Sequence, residues 1–405
     1  MTSICMYFQV HQPFRLSKYS FFDIGSKKGY FDERRNKEVF DKVTKKCYLP
    51  ANQVLKELIE QHDGKFRVSF SITGVFVDQC LKYNPKVLES FIELFDTGCV
   101  DILDETYYHS LAFLISKEDF KEQVKQHRDM IKEHFNYEPK IFRNTEAMYS
   151  NDIAKAAEDL GYKGVIAEGW HTYLGWRSPN YVYRPTTCKK AKLLLRNYQL
   201  SDDIGFRFSN RGWAGFPLTA DKYADWLSSN QGQTINLFID YETFGEHQWE
   251  DTGIFDFLRH MPGEVFKHPH LDFRTTSEIV DKYESMGEID VPYICSWADM
   301  DRDLSAWLEN DMQKEAFESV KNLESQVKKS GDSELLDTWR RLQISDHFYY
   351  MCTKWFSDGD IHKYFNDYST PYDAFTNYMN VLSDFKERLA PSPQAETPVP
   401  VPITE

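Results

Sequence analysis

Ile235-Asn-Leu-Phe-Ile-Asp-Tyr-Glu-Thr-Phe-Gly-Glu-His-Gln-Trp249 reads as a buried strand that ends in acid. Ile235 to Ile239 is a short apolar run of strand length, entered from the turn-like Ser228-Ser-Asn-Gln-Gly-Gln233 and left through Gly245, the pattern of an interior parallel strand. At period two, Asn236, Phe238, Asp240 and Glu242 share a face, so two carboxylates emerge together at the strand's C-terminal end. In α/β barrels that end carries the chemistry. A solvated acidic turn after a strand would contain the same two acids. Glu246, His247 and Trp249 add a further carboxylate, an imidazole and an indole, a combination that suits a binding site better than a plain turn.

Upstream of this stretch, strands alternate with helices. Ile4 to His11 is a strand stopped by Pro13, which cannot donate to a ladder, and it delivers His11 and Gln12 to the same end. Asn52 to His62 is an amphipathic helix closed by Gly64, and Phe66 to Ile72 is a strand. A helix begins at Pro85 and stops at Gly98, and Val100 to Leu103 is the next strand. It opens into Asp104-Glu-Thr-Tyr-Tyr-His109, either a binding rim or a second acidic turn. Ser116-Lys-Glu-Asp119 resembles a capping box for a helix reaching about Phe135. The strand Lys140 to Arg143 then delivers Asn144 and Glu146 on one face. A helix capped by Ser150 or Asn151 and closed by Gly161, followed by a strand from Gly164 to Ala167, completes a βαβ unit.

Glu168 to Tyr198 is expected to be irregular and aromatic, a long excursion over one face of the fold. Beyond Arg274 the pattern changes. Ser296-Trp-Ala-Asp-Met-Asp-Arg-Asp303 is an acidic loop, expected to return to the strand ends, and the periodicity is then helical over 311–329, 333–355 and 371–389. Pro391 to Pro402 is proline-rich and expected to be a disordered tail.

A chain of 405 residues has ample length for a large core, and its net charge of -15 argues against nucleic acid or an anionic membrane as the main partner. The aromatic share of 16% supplies flat apolar faces of the kind that stack on pyranose rings, although most of these rings must be core. Seven scattered cysteines without a CxxC pair read as reduced thiols rather than a disulfide frame or zinc site. No run approaches a membrane span, and Ile4 to Val10 is too short and lacks the basic flank of a signal peptide, so a cytoplasmic location is expected.

With Glu146 and Asp240 on separate strand ends and His11 on a third, the chain resembles glycoside hydrolase family 57. His11-Gln-Pro13 resembles the family's first signature, Gly98-Cys-Val-Asp-Ile102 its second with Asp101 where Glu is common, and Arg143-Asn-Thr-Glu146 its third. Asp240-Tyr-Glu-Thr-Phe-Gly-Glu-His247 resembles the fourth, and Ser296 to Trp307 the fifth, with Asp299 and Asp303 both open as its acid. The resemblance implies a (β/α)7 barrel over 1–295, a helical subdomain of about three helices over 296–389 that packs on the barrel and completes the cleft, and a tail over 390–405. It implies a retaining α-1,4-glucan hydrolase of the α-amylase type, with an α-glucan oligosaccharide or polysaccharide as partner and neither cofactor nor metal.

By the same resemblance Glu146 is the nucleophile and Asp240 the general acid/base. Substrate contacts are expected from His11, Gln12, Asp101, His109, Asn144, Glu242, His247, Trp249, Asp299, Asp303 and Trp307. A 4-α-glucanotransferase is the nearest alternative. A metal-dependent carbohydrate deacetylase or mannosidase with His11, His109 and Asp240 as ligands, and a non-catalytic glucan-binding homologue, are more distant ones. Retention of both Glu146 and Asp240 argues against the last. The oligomeric state stays open.

Overall fold

A ring of parallel strands is the centre of the computed structural model, which describes residues 1–26, 28–354 and 366–389. The strands are β1 (Thr2–Val10), β2 (Val68–Ile72), β3 (Val100–Leu103), β4 (Ile141–Phe142), β5 (Gly164–Glu168), β6 (Arg184–Pro185), β7 (Lys192–Arg196), β8 (Thr234–Asp240), β9 (Leu271–Phe273) and β10 (Glu288–Ile289). Seven of them run side by side in the order β3-β2-β1-β8-β7-β5-β4, with β9 paired to the start of β1 and β6 paired to β10 apart from the ring. The ring closes through a single parallel bridge between Asp104 and Phe142, in which the Asp104 amide donates to the Ile141 carbonyl (2.9 Å) and the Arg143 amide to the Asp104 carbonyl (2.9 Å). Seven parallel strands with helices outside make a (β/α)7 barrel.

β1 and β8 are its spine. They pair from Ser3 with Thr234 through to Gln9 with Asp240, so Gln9 and Asp240 leave the ladder side by side. Both read as near-continuous apolar runs because both faces are buried. Ile4, Met6, Phe8, Ile235, Leu237 and Ile239 point outward into a cluster with the surrounding helices. Cys5, Tyr7, Leu103, Ile141, Ile166, Leu194 and Phe238 point inward and fill the barrel. The helix Thr276–Lys282 plugs its N-terminal end, contributing Ile279 and Val280 to that inner cluster. Past β8 the chain turns at Gly245, whose φ of 114° and approach to the Lys46 carbonyl leave no room for a Cβ.

Two expectations are corrected. The stretch 168–198 is not irregular throughout: it contains the short helix His171–Leu174, β6, and β7, one of the seven ring strands. The helical region is also more broken than its periodicity suggests. The stretch expected as one helix over 311–329 is two, Asp311–Lys321 and Glu324–Ser330; that over 333–355 is Ser333–Arg341 and Ser345–Tyr349, while Pro371–Leu389 is continuous. The break after Arg341 has a tertiary cause. Ile344 bridges Ser110 and the Ser345 amide donates to the His109 carbonyl (3.1 Å), which holds 342–344 out of helix and draws the start of the next helix against the barrel mouth. The proline-rich stretch expected as a tail lies outside the described residues, as does Trp355. No helix among the described residues is long and apolar enough to cross a membrane.

Candidate active site

Glu146 follows β4 in a single 3-10 turn, Thr145–Ala147, with φ of 55°. The Trp297 indole donates to its Oε2 (3.1 Å), the Ser345 hydroxyl donates to its Oε1 (2.8 Å), and the His109 Nε2 stands 3.5 Å from the same oxygen. Burial raises its pKa, but the His109 bond and charge, the Arg143 charge and the Trp297 bond outweigh that and hold the carboxyl well below the usual carboxylate range. It is an anion fixed by three donors from three separate segments.

Asp240 ends β8 and faces the same cavity, of about 330 Å³. Burial and the nearby Glu146 anion push its pKa up to about 6, against the pull of Arg143, Arg196 and His109. The two carboxyls are thereby driven apart, one kept ionised and the other able to hold a proton near neutrality. Glu242, one turn on, is pushed to about 8 by burial, which outweighs a 2.6 Å bond from the Tyr48 hydroxyl, with the Asp240 charge adding to the rise.

The histidines form a stack. His11 and His109 lie with ring centroids 4.2 Å apart and planes at 27°. His109 is buried, contacts Glu105 Oε2 through Nδ1 (2.8 Å), and is held up to about 9, because the Glu105 and Glu146 anions outweigh the cost of burying a cation. His11 contacts Thr73 Oγ1 (3.0 Å) and Asp346 Oδ2 (3.1 Å), and burial with the His109 charge lowers its pKa. One ring is charged and its neighbour neutral, as such close stacking requires.

One wall of the cavity is the loop from Trp297 to Arg302. The Arg302 guanidinium donates to the carbonyls of Trp297 (2.7 Å) and Asp299 (2.6 Å), and Lys354 reaches Asp301 (2.5 Å). Backbone strain gathers at the site: of the seven non-glycine residues with positive φ among the described residues, His109, Glu146, Ala147, Asp299 and Arg302 belong to it.

Of the residues singled out in the sequence, His11, Gln12, His109, Glu146, Asp240, Glu242, His247, Asp299 and Trp307 line this one cavity. Asp299 and Asp303 differ in position. Asp299 lines the cavity, whereas Asp303 is exposed and accepts bonds from the amide (2.8 Å) and hydroxyl of Ser305.

Three further expectations are corrected. Asp101 is not at the site: it lies four residues before Glu105 on β3 and binds the Ser277 amide (2.9 Å) and the hydroxyls of Thr276 (2.8 Å) and Tyr137 (2.7 Å), anchoring the plug helix. Asn144 is buried behind the Glu146 turn and does not line the cavity, and Trp249 is half exposed beneath Lys46, whose Nζ sits 4.7 Å from its ring centre.

Sequence reasoning did not single out Glu105, Arg143, Arg196, Trp297, Ser345 and Asp346. Ser345 and Asp346 sit in a helical pattern, and nothing local marks them. Arg143 stands shortly before Glu146 in the sequence and carried the one available signal, a cation entering a buried strand end. The arrangement matches acid/base and nucleophilic chemistry on a neutral ligand: one fixed anion, one protonatable carboxyl, an imidazolium and indole walls.

Comparison with known proteins agrees. Residues 5–292 match the family model described as Glycosyl hydrolase family 57. A protein of Methanocaldococcus jannaschii described as "Putative alpha-amylase" is 49% identical over 405 residues, covering 95% of this chain and 85% of that one. Among solved structures, the family 57-type branching enzyme from Pyrococcus horikoshii superposes with TM-score 0.70 at 14% identity, over 96% of this chain and 91% of that one. The 4-alpha-glucanotransferase from Thermococcus litoralis gives 0.68 at 16% identity, over 95% of this chain but 60% of the longer one. At such low identity the two structures speak for the fold alone. The match over most of the chain's length and the close relative together place it: the chain belongs to glycosyl hydrolase family 57 and is a glycoside hydrolase.

Proposed function

We propose that the protein hydrolyses α-1,4-glucans with retention of configuration, as an enzyme of the α-amylase type. The observation that carries this reading is the divided protonation of two carboxyls on one cavity, Glu146 held ionised and Asp240 pushed to about 6. In the first half-reaction Glu146 attacks the anomeric carbon. The glycosidic C–O bond breaks, and Asp240 gives its proton to the departing oxygen. In the second, water loses its proton to Asp240 and attacks the same carbon, and the bond to Glu146 breaks with its electron pair returning to the carboxylate. His11, Gln12, Glu242, His247, Asp299 and Trp307 are assigned to sugar contacts because they line the cavity.

The relative's printed description supports an α-glucan as substrate. We assign the barrel to 1–295 and a cleft-completing helical subdomain to 296–389, supported by an apolar cluster that joins residues of both. Seven free thiols support a reducing, cytoplasmic setting.

Proton NMR of a freshly started digest of maltoheptaose tests the proposal. The α-anomer of the new reducing end is expected first, with β growing only through mutarotation, and all products shorter than the substrate. If β appears first, the two carboxyl roles are wrong. Products longer than the substrate would move the assignment from hydrolysis to transfer.

A further inference from the structure

Glu105 is fully buried and does not line the cavity, yet its carboxylate is tied to it. It accepts from Gln9 Nε2 (2.9 Å) and the Ser71 hydroxyl, faces Arg143 NH1 at 3.7 Å, and contacts His109 Nδ1 at 2.8 Å. Its backbone is pinned too: the Glu105 amide donates to Asp104 Oδ1 (3.0 Å), and the same oxygen holds His127 (2.6 Å). The other nitrogen of His109 faces Glu146 at 3.5 Å. These contacts form one line, carboxylate to imidazole to carboxylate, buried at Glu105 and His109 and opening to the cavity only at Glu146.

We propose that Glu105 is a positioning residue which, through His109, keeps a cation beside Glu146 after Glu146 has lost its own charge. The proposal rests on the reading of Glu146 as nucleophile. When Glu146 forms its ester with the sugar it becomes neutral, and a buried imidazolium then has lost one of its two close anions. A buried cation without an anion sheds its proton. Glu105 prevents that, so when water attacks the anomeric carbon the electron pair of the breaking C–O bond returns to Glu146 beside a positive charge. Its effect therefore falls on the second half-reaction.

The remaining groups around His109 do not replace Glu105. Arg143, just past β4, is a cation that opposes a charge on His109, and the stacked His11, just past β1, supplies no anion. Asp346 favours that charge but is bonded to His11, and Asp240, an anion once it has given up its proton, becomes neutral again as it takes the proton of the attacking water, just when the charge is needed.

The test uses the full chain with the variants Glu105→Gln and Glu105→Asp, an aryl α-maltoside as substrate, and nitrogen-15 NMR of the histidine rings, with His109→Gln to assign the signal. Wild type is expected to show His109 as a cation at pH 7. In Glu105→Gln it is expected neutral, with a burst of about one equivalent of phenol followed by a steady-state rate lower by tenfold or more. Glu105→Asp, which keeps the charge one methylene farther away, should fall between the two in both titration midpoint and rate. If Glu105→Gln does not fold, Glu105→Asp decides alone, with an expected fall in the midpoint of about one pH unit. An unmoved His109 midpoint, or a steady-state rate within twofold of wild type, overturns the proposal. Failure of the nucleophile reading looks different: Glu146→Gln would keep most activity while the His109 titration still responded to Glu105.

Discussion

At the scale of single residues, the pKa values make two predictions whose signs differ in origin. Asp240 must carry a proton to start the reaction and is pushed to about 6, so kcat/KM should fall as pH rises through about 6. Glu146 is held below the usual carboxylate range, so its protonation should not curtail activity until the pH falls below that range. A pH profile that instead rises from 5 to 8 would contradict these assignments. Glu242 concerns stability. Its ordinary value of 4.5 is raised to about 8 in the fold, so its contribution is fully present below pH 4.5 and is lost as pH rises through about 8. Glu242→Gln, permanently neutral and still able to accept the Tyr48 bond, should gain Tm over wild type by roughly 2–4 °C at pH 9 and by little at pH 4.5. A difference in Tm that does not grow between those two pH values would refute it. The sequence made Asp240 legible because it is the last residue of a strand and its face follows from period two, whereas Glu146, in the turn beyond β4, was legible through the resemblance of Arg143-Asn-Thr-Glu146 to a family signature. It misplaced Asp101 for a related reason. Period two puts Asp101 and Glu105 on one side of the strand, but four residues of rise separate them by about 13 Å, and only the fold shows which lies at the open end.

At the scale of elements, strands with β-branched or aromatic runs such as 235–239 were readable, and β7 was not. Lys192-Leu-Leu-Leu-Arg196 holds three leucines between two cations, a run too short and too neutral in propensity to separate strand from helix, inside a segment rich in loop signals. The break at 342–344 was equally hidden, since the contacts that cause it lie more than 230 residues away at Ser110 and His109. The loop 296–303 was read as an acidic loop at the mouth, but not the way it is held. Its shape depends on the fork of Arg302, whose NH1 donates to both loop carbonyls while Nε faces Glu168 (3.7 Å) and NH2 faces Asp202 (3.7 Å) on the barrel. A lysine keeps the charge and loses the fork. Arg302→Lys should therefore raise KM for maltoheptaose by roughly tenfold, the loss of about 1.4 kcal/mol of binding, while Tm moves by less than about 2 °C. An unchanged KM would mean that the loop holds its shape without the clamp.

At the scale of the whole molecule, barrel and C-terminal helices share one interior. An apolar cluster runs from Leu16 and Tyr30 through Phe142 and Val165 to Trp307, Phe348 and Phe385, so among the described residues parting the helices from the barrel would expose apolar surface. A buried ion pair crosses the same boundary. The Arg340 guanidinium, on the helix Ser333–Arg341, donates to Asp119 Oδ1 through Nε (2.9 Å) and NH2 (2.7 Å), and Asp119 lies on the barrel helix Lys117–Phe135 with no exposure. Removing one partner of such a pair strands the other in a medium that cannot solvate it, whereas replacing both removes the penalty. Arg340→Met should cost about 3–5 kcal/mol and lower Tm, with heat unfolding still a single transition. The double variant Asp119→Leu with Arg340→Met should recover most of that loss. Because Ser345 and Asp346 reach the site from the segment just beyond Arg340, thermal loss of activity in Arg340→Met should track unfolding of the barrel, followed by near-ultraviolet circular dichroism. Two separated transitions, with activity following only the first, would mean that the helices fold as an independent body and that the ion pair secures a contact between domains.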